Sequence, residues 1–329
     1  METLKVGVIG TGHLGRLHIK LFQQVSNCSL VGIYDKDYEK AKSAGAEFKI
    51  PVYENIDDLF ANVDAVSIVA STSAHYDLVK LAFASSKHVF VEKPITSNIA
   101  EAEELVKIAD ERKLNFQVGH IERFNPALVS LEKYNLNPMF VQTDRLAQFN
   151  PRGTDVAVVL DLMIHDIDII LSLVKSEVKE VKASGVAVVS DSIDIANARI
   201  EFENGAVANV TASRISQKKM RKMRMFQRDA YITLDFITGS SEVYRLAEPN
   251  SLSGNSYISF GEIGVGDKKK IVVYEQPEQV EINALKHELQ LFVNSIIKKE
   301  VPAVTGADGL RALKVAEMII NKIHESALK

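Results

Sequence analysis

The chain has a single cysteine, Cys28, in 329 residues, so it forms no internal disulfide and is not a cysteine-rich secreted scaffold. Its eight histidines form no H-E-x-x-H or Cys/His ligand cluster, and no metal site is expected. It lacks an excess of either charge: 39 basic side chains face 43 acidic ones, a net charge of −4, which excludes a generally basic nucleic-acid-binding surface. It also lacks an uncharged apolar run long enough for a bilayer. The longest such stretch, Val156–Val174, contains Asp161, His165, Asp166 and Asp168, and each aspartate at mid-membrane would cost about 2.5–3.5 kcal/mol. The opening METLKVGVIG runs straight into a strand pattern, so no targeting segment, no membrane partner and a cytoplasmic location are expected. Internal repeats and low-complexity linkers are missing as well.

What is present reads as an ordinary globular chain, 46% hydrophobic and 25% charged, long enough for about two domains. Leu4–Ile9, Leu30–Tyr34, Asp64–Ala70, His88–Glu92 and Asn115–Gly119 are short apolar runs of the kind buried on both faces of a parallel sheet. Amphipathic segments at Leu14–Val25, Ile56–Ala61, Ala74–Ser85 and Ile99–Arg112 separate them, the last opened by the capping pair Asn98 and Glu101. The fold class expected is α/β: an N-terminal Rossmann domain with a doubly wound parallel sheet over residues 1–120. Residues 121–329 then form an α+β domain with a largely antiparallel open sheet. Its strands are read at Phe140–Ala147, Val178–Val189, Asp194–Phe202, Ala206–Arg214 and Ala230–Phe236, with a hairpin turn at Glu203-Asn204-Gly205. Helices are expected near Pro126–Tyr134 and over Leu160–Val174, Ala284–Lys299 and Ala307–Ser326.

Three motifs carry chemistry. Gly10-Thr11-Gly12-His13-Leu14-Gly15 follows the first strand and opens the first helix, where glycines allow a tight turn, close approach to a pyrophosphate and helix–strand packing. Asp35 ends the second strand 20 residues after Gly15, where an acid accepts a hydrogen bond from the adenosine ribose. A carboxylate there favours NAD over NADP, although Lys36 beside it works the other way. The alternative is a tight turn with an unrelated surface acid. Glu92-Lys93-Pro94 ends a strand at the edge of the expected ligand crevice, placing the Lys93 ammonium near the nicotinamide, or else it is a surface lysine before a turn. Asp161, His165 and Asp168 are spaced four and three apart, so on a regular helix they share one face. An aspartate four residues before a histidine can orient the ring as a general base; a satisfied structural network is the alternative.

Together these motifs resemble the glucose–fructose oxidoreductase/inositol dehydrogenase (Gfo/Idh/MocA) family over nearly the whole chain, including Ser71-Thr72-x-x-His75 and the stretch from Gly306 to Leu313. The resemblance implies a nicotinamide cofactor that oxidises a secondary hydroxyl of a sugar or polyol. It implies a cofactor site of Gly10, Gly12, His13, Leu14, Gly15, Asp35, Ser71, Thr72, His75, Glu92 and Lys93. It assigns Lys93 to the reacting hydroxyl, Asp161 to substrate positioning and His165 to acid/base work. Two departures stand out: Asp155-Val156-Ala157-Val158-Val159 replaces a glycine-rich lead-in, and Ser73 stands where proline is frequent.

Gly119-His120-Ile121-Glu122-Arg123-Phe124-Asn125-Pro126, Asp155 and the Asp161–Ile169 stretch look like the branch that oxidises the 3-hydroxyl of UDP-N-acetylglucosamine. That narrower resemblance implies a nucleotide-sugar substrate met by His120, Arg123, Asn125, Arg152 and Asp161. Arg123, Arg145 and Arg152 are the forked donors available for its diphosphate, one or two of them touching substrate. The alternatives are a dehydrogenase of inositol or free sugars, and a non-catalytic dinucleotide-binding sensor of the same fold. A homodimer or homotetramer is expected, with the Val178–Arg214 alternation offering a sheet-to-sheet contact or a core face covered by helices. Tyr76-x-x-x-Lys80 matches the short-chain dehydrogenase pair but falls on the helix after the wrong strand, and the basic run Lys218–Arg224 reads as a solvated strand.

Overall fold

The computed structural model describes residues 3–150, 156–248 and 258–327. The chain divides into two compact units, Met1–Phe124 with Asn283–Lys314, and Asn125–Ile282 with Val315–Lys329.

The first unit is built on five parallel strands: β1 (Leu4–Ile9), β2 (Cys28–Tyr34), β3 (Ala65–Ile68), β4 (His88–Glu92) and β5 (Phe116–Gly119), in the order β2-β1-β3-β4-β5. Helices α1 (His13–Phe22), α2 (Tyr38–Phe48), α3 (Ile56–Asn62), α4 (Thr72–Ala84) and α5 (Ile99–Arg112) connect them. All four residues of β3 are buried, as a strand covered on both faces requires. The chain leaves β1 toward β2 on one side and returns to β3 on the other, which opens a crevice at the carboxyl ends of β1 and β3. Helix α2 was not anticipated; its start is marked by Asp37, whose carboxylate accepts the Lys40 N–H.

The second unit opens with the short α6 (Pro126–Val129), much less helix than the Pro126–Tyr134 expectation. Its sheet has nine strands: β6 (Phe140–Leu146), β7 (Val178–Val186), β8 (Ile195–Phe202), β9 (Val207–Ser213), β10 (Met220–Phe226), β11 (Ala230–Asp235), β12 (Ser240–Ala247), β13 (Ile258–Ile263) and β14 (Lys270–Glu275). The order is β13-β14-β12-β11-β10-β6-β9-β8-β7, antiparallel except for β6 against β9. Gly205 turns the β8–β9 hairpin with a φ of +84°. Inward residues of β6 are Val141, Thr143 and Arg145. The opposite face carries a ladder of rings running through Phe140, Phe226, Tyr231, Tyr244, Tyr274 and Phe260, with successive centroids 4.6–5.9 Å apart. A helix (α7, Ile164–Val174) packs on the inward face, preceded by a π-helical turn over Val159–Met163.

Helices α8 (Ala284–Lys298) and α9 (Gly306–Ala327) close the chain. Helix α8 belongs to the first unit, where Phe292 meets the ring of Phe90 at 5.8 Å and Leu289 joins the same core as Val6, Val8 and Phe22. A single boundary near residue 120 is therefore corrected: the apolar face of α8 is buried against the parallel-sheet unit.

Candidate active site

The turn after β1 uses its three glycines in different ways. Gly10 has a φ of +99°, and a Cβ there would come within 2.5 Å of the Val69 carbonyl oxygen. Gly15 lies against the Gly10 carbonyl, so any side chain would force α1 away from the strand. Gly12 caps α1 in extended backbone at a φ of −66°, and a Cβ built on it meets nothing within 4 Å. Gly12 thus leaves an open approach to the first amides of a ten-residue helix, a place suited to a phosphate.

Asp35 stands at the mouth of this turn, and its carboxylate is fixed by the protein itself. Oδ2 accepts both the Thr11 N–H at 2.7 Å and the Thr11 hydroxyl at 3.0 Å, while Oδ1 accepts the Asp37 N–H at 3.0 Å. Thr11 carries little signal in the sequence, a hydroxyl between two glycines. A cavity of about 460 Å³ runs past Gly10, Gly12, Asp35, Lys36, Lys40 and Ser71. The cradle left by Gly12, the oriented acid and the cavity fit the pyrophosphate and ribose of a dinucleotide. Ser71 caps α4 and Thr72 is its first residue, so both lie at a second helix N-terminus, and Ser71 lines the same cavity. His13 and Leu14 are exposed, and His13 lines a different groove with Arg16, Leu17 and Lys20.

Lys93 follows the tip of β4, and its own N–H donates to Glu92 Oε2 at 3.3 Å. The Lys93–Pro94 peptide is cis. His75 braces the same turn: Nδ1 lies 2.9 Å from the Pro94 carbonyl and Nε2 lies 3.2 Å from that of Ala70. Burial lowers its pKa from the ordinary histidine value, against the pull of those carbonyls toward the imidazolium. Beyond β5, His120 is buried and starts a short 3₁₀ turn that contains Arg123. The Arg123 guanidinium lies 3.6 Å from Asp308, which in turn accepts the Thr305 N–H and hydroxyl at the head of α9.

In the second unit, Asp161 sits within the π turn and His165 in the first turn of α7. The regular spacing read from sequence is corrected here. The chain over Val159–Met163 is π-helical rather than regular α-helix, and such turns recur at functional sites. Asp168 is buried more deeply than either. Arg145 is also corrected as a diphosphate donor. It is 2% exposed, and its fork is engaged by Asp166. Asn125 caps α6 through Oδ1 and donates to the Phe236 carbonyl at 3.0 Å, so its amide serves local structure. Arg152 and Asp155 lie outside the described residues.

The segment leading into the π turn is anchored by a second buried pair. The Arg214 guanidinium donates to the Val156 carbonyl and lies 3.8 Å from Asp194. Burial would raise the Asp194 carboxyl. Hydrogen bonds from the Ser190 hydroxyl and from the backbone of Val188, Val189 and Ser190 hold it far below the usual carboxylate range.

Tyr76 and Lys80 form an exposed cluster with Glu104 on the outer surface of α4 and α5, with contacts of 2.6–2.8 Å. The basic run supplies β10, whose exposed residues include Arg221, Lys222 and Arg224. Among the described residues, no group of three or more His, Cys, Asp or Glu side chains could hold a metal ion, and no helix is long and apolar enough to cross a membrane.

Comparison with known proteins places this geometry among relatives. Residues 4–120 match an oxidoreductase family described by its NAD-binding Rossmann fold, and residues 136–233 match a GFO/IDH/MocA C-terminal domain. The chain is 36% identical over 317 residues to UDP-N-acetylglucosamine 3-dehydrogenase of Acidithiobacillus ferrooxidans, covering 96% of each chain. The solved structure of that enzyme superposes with a TM-score of 0.87 at 33% identity, covering 99% of both chains. Myo-inositol 2-dehydrogenase of Thermotoga maritima is 26% identical over 332 residues, 94% of this chain and 93% of its own. The apo scyllo-inositol dehydrogenase of Lactobacillus casei shares the fold, with a TM-score of 0.76 at 20% identity and coverage of 99% and 97%.

Proposed function

This chain belongs to the Gfo/Idh/MocA family of NAD-binding oxidoreductases, and from that premise we propose that it oxidises the 3-hydroxyl of UDP-N-acetylglucosamine. The observation that carries the substrate is the 36% identity, spread over 96% of both chains, to an enzyme named for that reaction. The complete Lys93, Asp161 and His165 set supports an enzyme over a dinucleotide sensor, because a sensor needs no proton acceptor.

In this reading the His165 imidazole takes the proton of the sugar hydroxyl. The Lys93 ammonium stabilises developing alkoxide character. Asp161 positions the sugar, and His120, Arg123 and Arg152 bind the rest of the nucleotide sugar. A bound nicotinamide supplies the hydride acceptor. Asp35, oriented by Thr11, favours the 2′-hydroxyl of NAD and repels the 2′-phosphate of NADP; Asp35→Ser narrows that preference.

The sheet face that carries the ring ladder is proposed to pack against a second copy, giving a homodimer or homotetramer. Its support is the ring ladder, in which Phe226 and Phe260 are 42% and 62% exposed, a large apolar surface to leave in water. Sedimentation then gives two or four times the chain mass. One cysteine suits a cytoplasmic enzyme.

Purified protein mixed with NAD and UDP-N-acetylglucosamine generates NADH in this reading. Turnover with inositol or a free hexose alone keeps the enzyme class and overturns the substrate. Silence across polyols and nucleotide sugars favours the sensor.

A further inference from the structure

Behind Lys93 lies a buried polar relay that the proposed chemistry does not use. His18 sits on the inward side of α1, fully buried, with its ring near Phe22 and Phe90 at centroid distances of 6.4 and 5.5 Å. A leucine would suit that apolar position, and an imidazole there is costly unless its nitrogens are satisfied. They are. Nδ1 lies 2.9 Å from Ser67 Oγ on β3, and Nε2 lies 3.1 Å from Glu92 Oε1.

The carboxylate fixes the tautomer. A lone pair on Nε2 would face the lone pairs of Oε1, so Nε2–H donates to Glu92, and in the neutral imidazole the Ser67 hydroxyl then donates to Nδ1. The other Glu92 oxygen accepts the backbone N–H of Lys93. The carboxylate also lies flat on bare backbone. Glu92 pairs with Gly119 across β4 and β5, and a Cβ on Gly119 would come within 2.9 Å of the carboxyl carbon. Glu92 is thus held by His18 on one oxygen, by Lys93 on the other, and by Gly119 beneath.

We propose that His18 is a positioning residue for Lys93. Its Nε2–H locks the Glu92 carboxylate, and the locked carboxylate holds the backbone from which the Lys93 side chain projects. The link also couples the helix that starts at the glycine turn to the lysine at the strand tip. The proposal rests on the reading of Lys93 as the group that stabilises the alkoxide.

Two substitutions separate this role from mere packing, because each puts an amide atom at the position of one ring nitrogen. His18→Gln places an amide nitrogen where Nε2 was and keeps the bond to Glu92. His18→Asn reaches only to the Nδ1 position and loses it. In the full chain, His18→Asn is expected to lower kcat by about tenfold to a hundredfold, as a displaced catalytic group does. NADH affinity and the KM for NAD stay within about twofold of wild type, and His18→Gln keeps most turnover.

A second readout needs no substrate: trace acetylation of Lys93, measured by mass spectrometry against the exposed Lys113. His18→Asn and Glu92→Gln should each change the Lys93 rate about threefold or more, equivalent to half a unit of pKa, while His18→Gln should not. Unchanged Lys93 labelling in Glu92→Gln, or equal changes in the Asn and Gln variants, overturns the proposal. If the wild type turns over no sugar, the functional reading fails by itself and the labelling still decides the role of His18. If His18→Asn does not fold, Glu92→Gln decides it.

Discussion

Arg145 on β6 holds Asp166 on α7 through two parallel hydrogen bonds, Nε to Oδ2 at 2.9 Å and Nη2 to Oδ1 at 2.8 Å, with both side chains buried. Asp166 directly follows His165, so this fork sets the rotation of the helix that presents the imidazole. Arg145→Met removes the charge that offsets the burial of Asp166, and the expected loss is about 3–5 kcal/mol in urea unfolding. With it goes part of kcat, because the helix loses its fixed rotation, while the KM for a nucleotide sugar stays near wild type. A raised KM with unchanged stability would instead make Arg145 a phosphate ligand.

The glycine turn predicts a contrast between two alanine substitutions. Gly12→Ala is compatible with its backbone and meets no atom, so its thermal unfolding should match wild type. NADH binding should nevertheless weaken by about tenfold or more, roughly 1.4 kcal/mol, because the methyl stands where a phosphate must approach. Gly15→Ala drives a methyl into the Gly10 carbonyl and should destabilise the fold even without cofactor. Calorimetry on both variants, with and without NADH, checks the pair; loss of apo stability in Gly12→Ala would contradict it.

His75 predicts a pH dependence. Its folded-state pKa lies below the ordinary value because burial disfavours the imidazolium. The unfolded chain therefore binds the proton more readily, and the stability linked to His75 is fully present above about pH 6.5 and is lost as pH falls through the folded pKa. Replacing it with Gln, which cannot titrate, should flatten the stability-against-pH curve below about pH 6.5. An identical slope in wild type and His75→Gln would remove His75 from that dependence.

Much of the first unit was legible because its signals are short-range. Gly10 and Gly15 each answer a local steric demand, Gly12 leaves the first helix amides open to approach, and Asp35 falls where β2 must end. Helix α2 is hard to read because its buried stripe, Ala41, Ala44 and Gly45, is made of small residues, leaving the Asp37 cap as its main mark. The destination of α8 was hidden for a different reason: an apolar face shows that a helix is buried, not which sheet buries it. At the candidate site, Asp161 and His165 were legible as residue types, but the π turn between them was not, since local pattern does not encode an extra residue per turn. Arg145 looked like a ligand donor until tertiary packing placed Asp166 against it. Strands β12, β13 and β14 mix polar and apolar residues on an exposed sheet, so the two-residue period was weak. His18 carries a faint signal, an imidazole between the apolar Leu17 and Ile19 of α1.

The most direct test of the account is turnover with cofactor binding measured on the same samples of wild type, Lys93→Ala and His165→Ala. With the sugar that the wild type oxidises, each variant should lose about a hundredfold or more of kcat, as loss of a general base or of an electrostatic stabiliser does. Both should bind NADH within about twofold of wild type. Near-normal turnover in either variant would contradict the assignment of that residue and, for both together, the proposed chemistry.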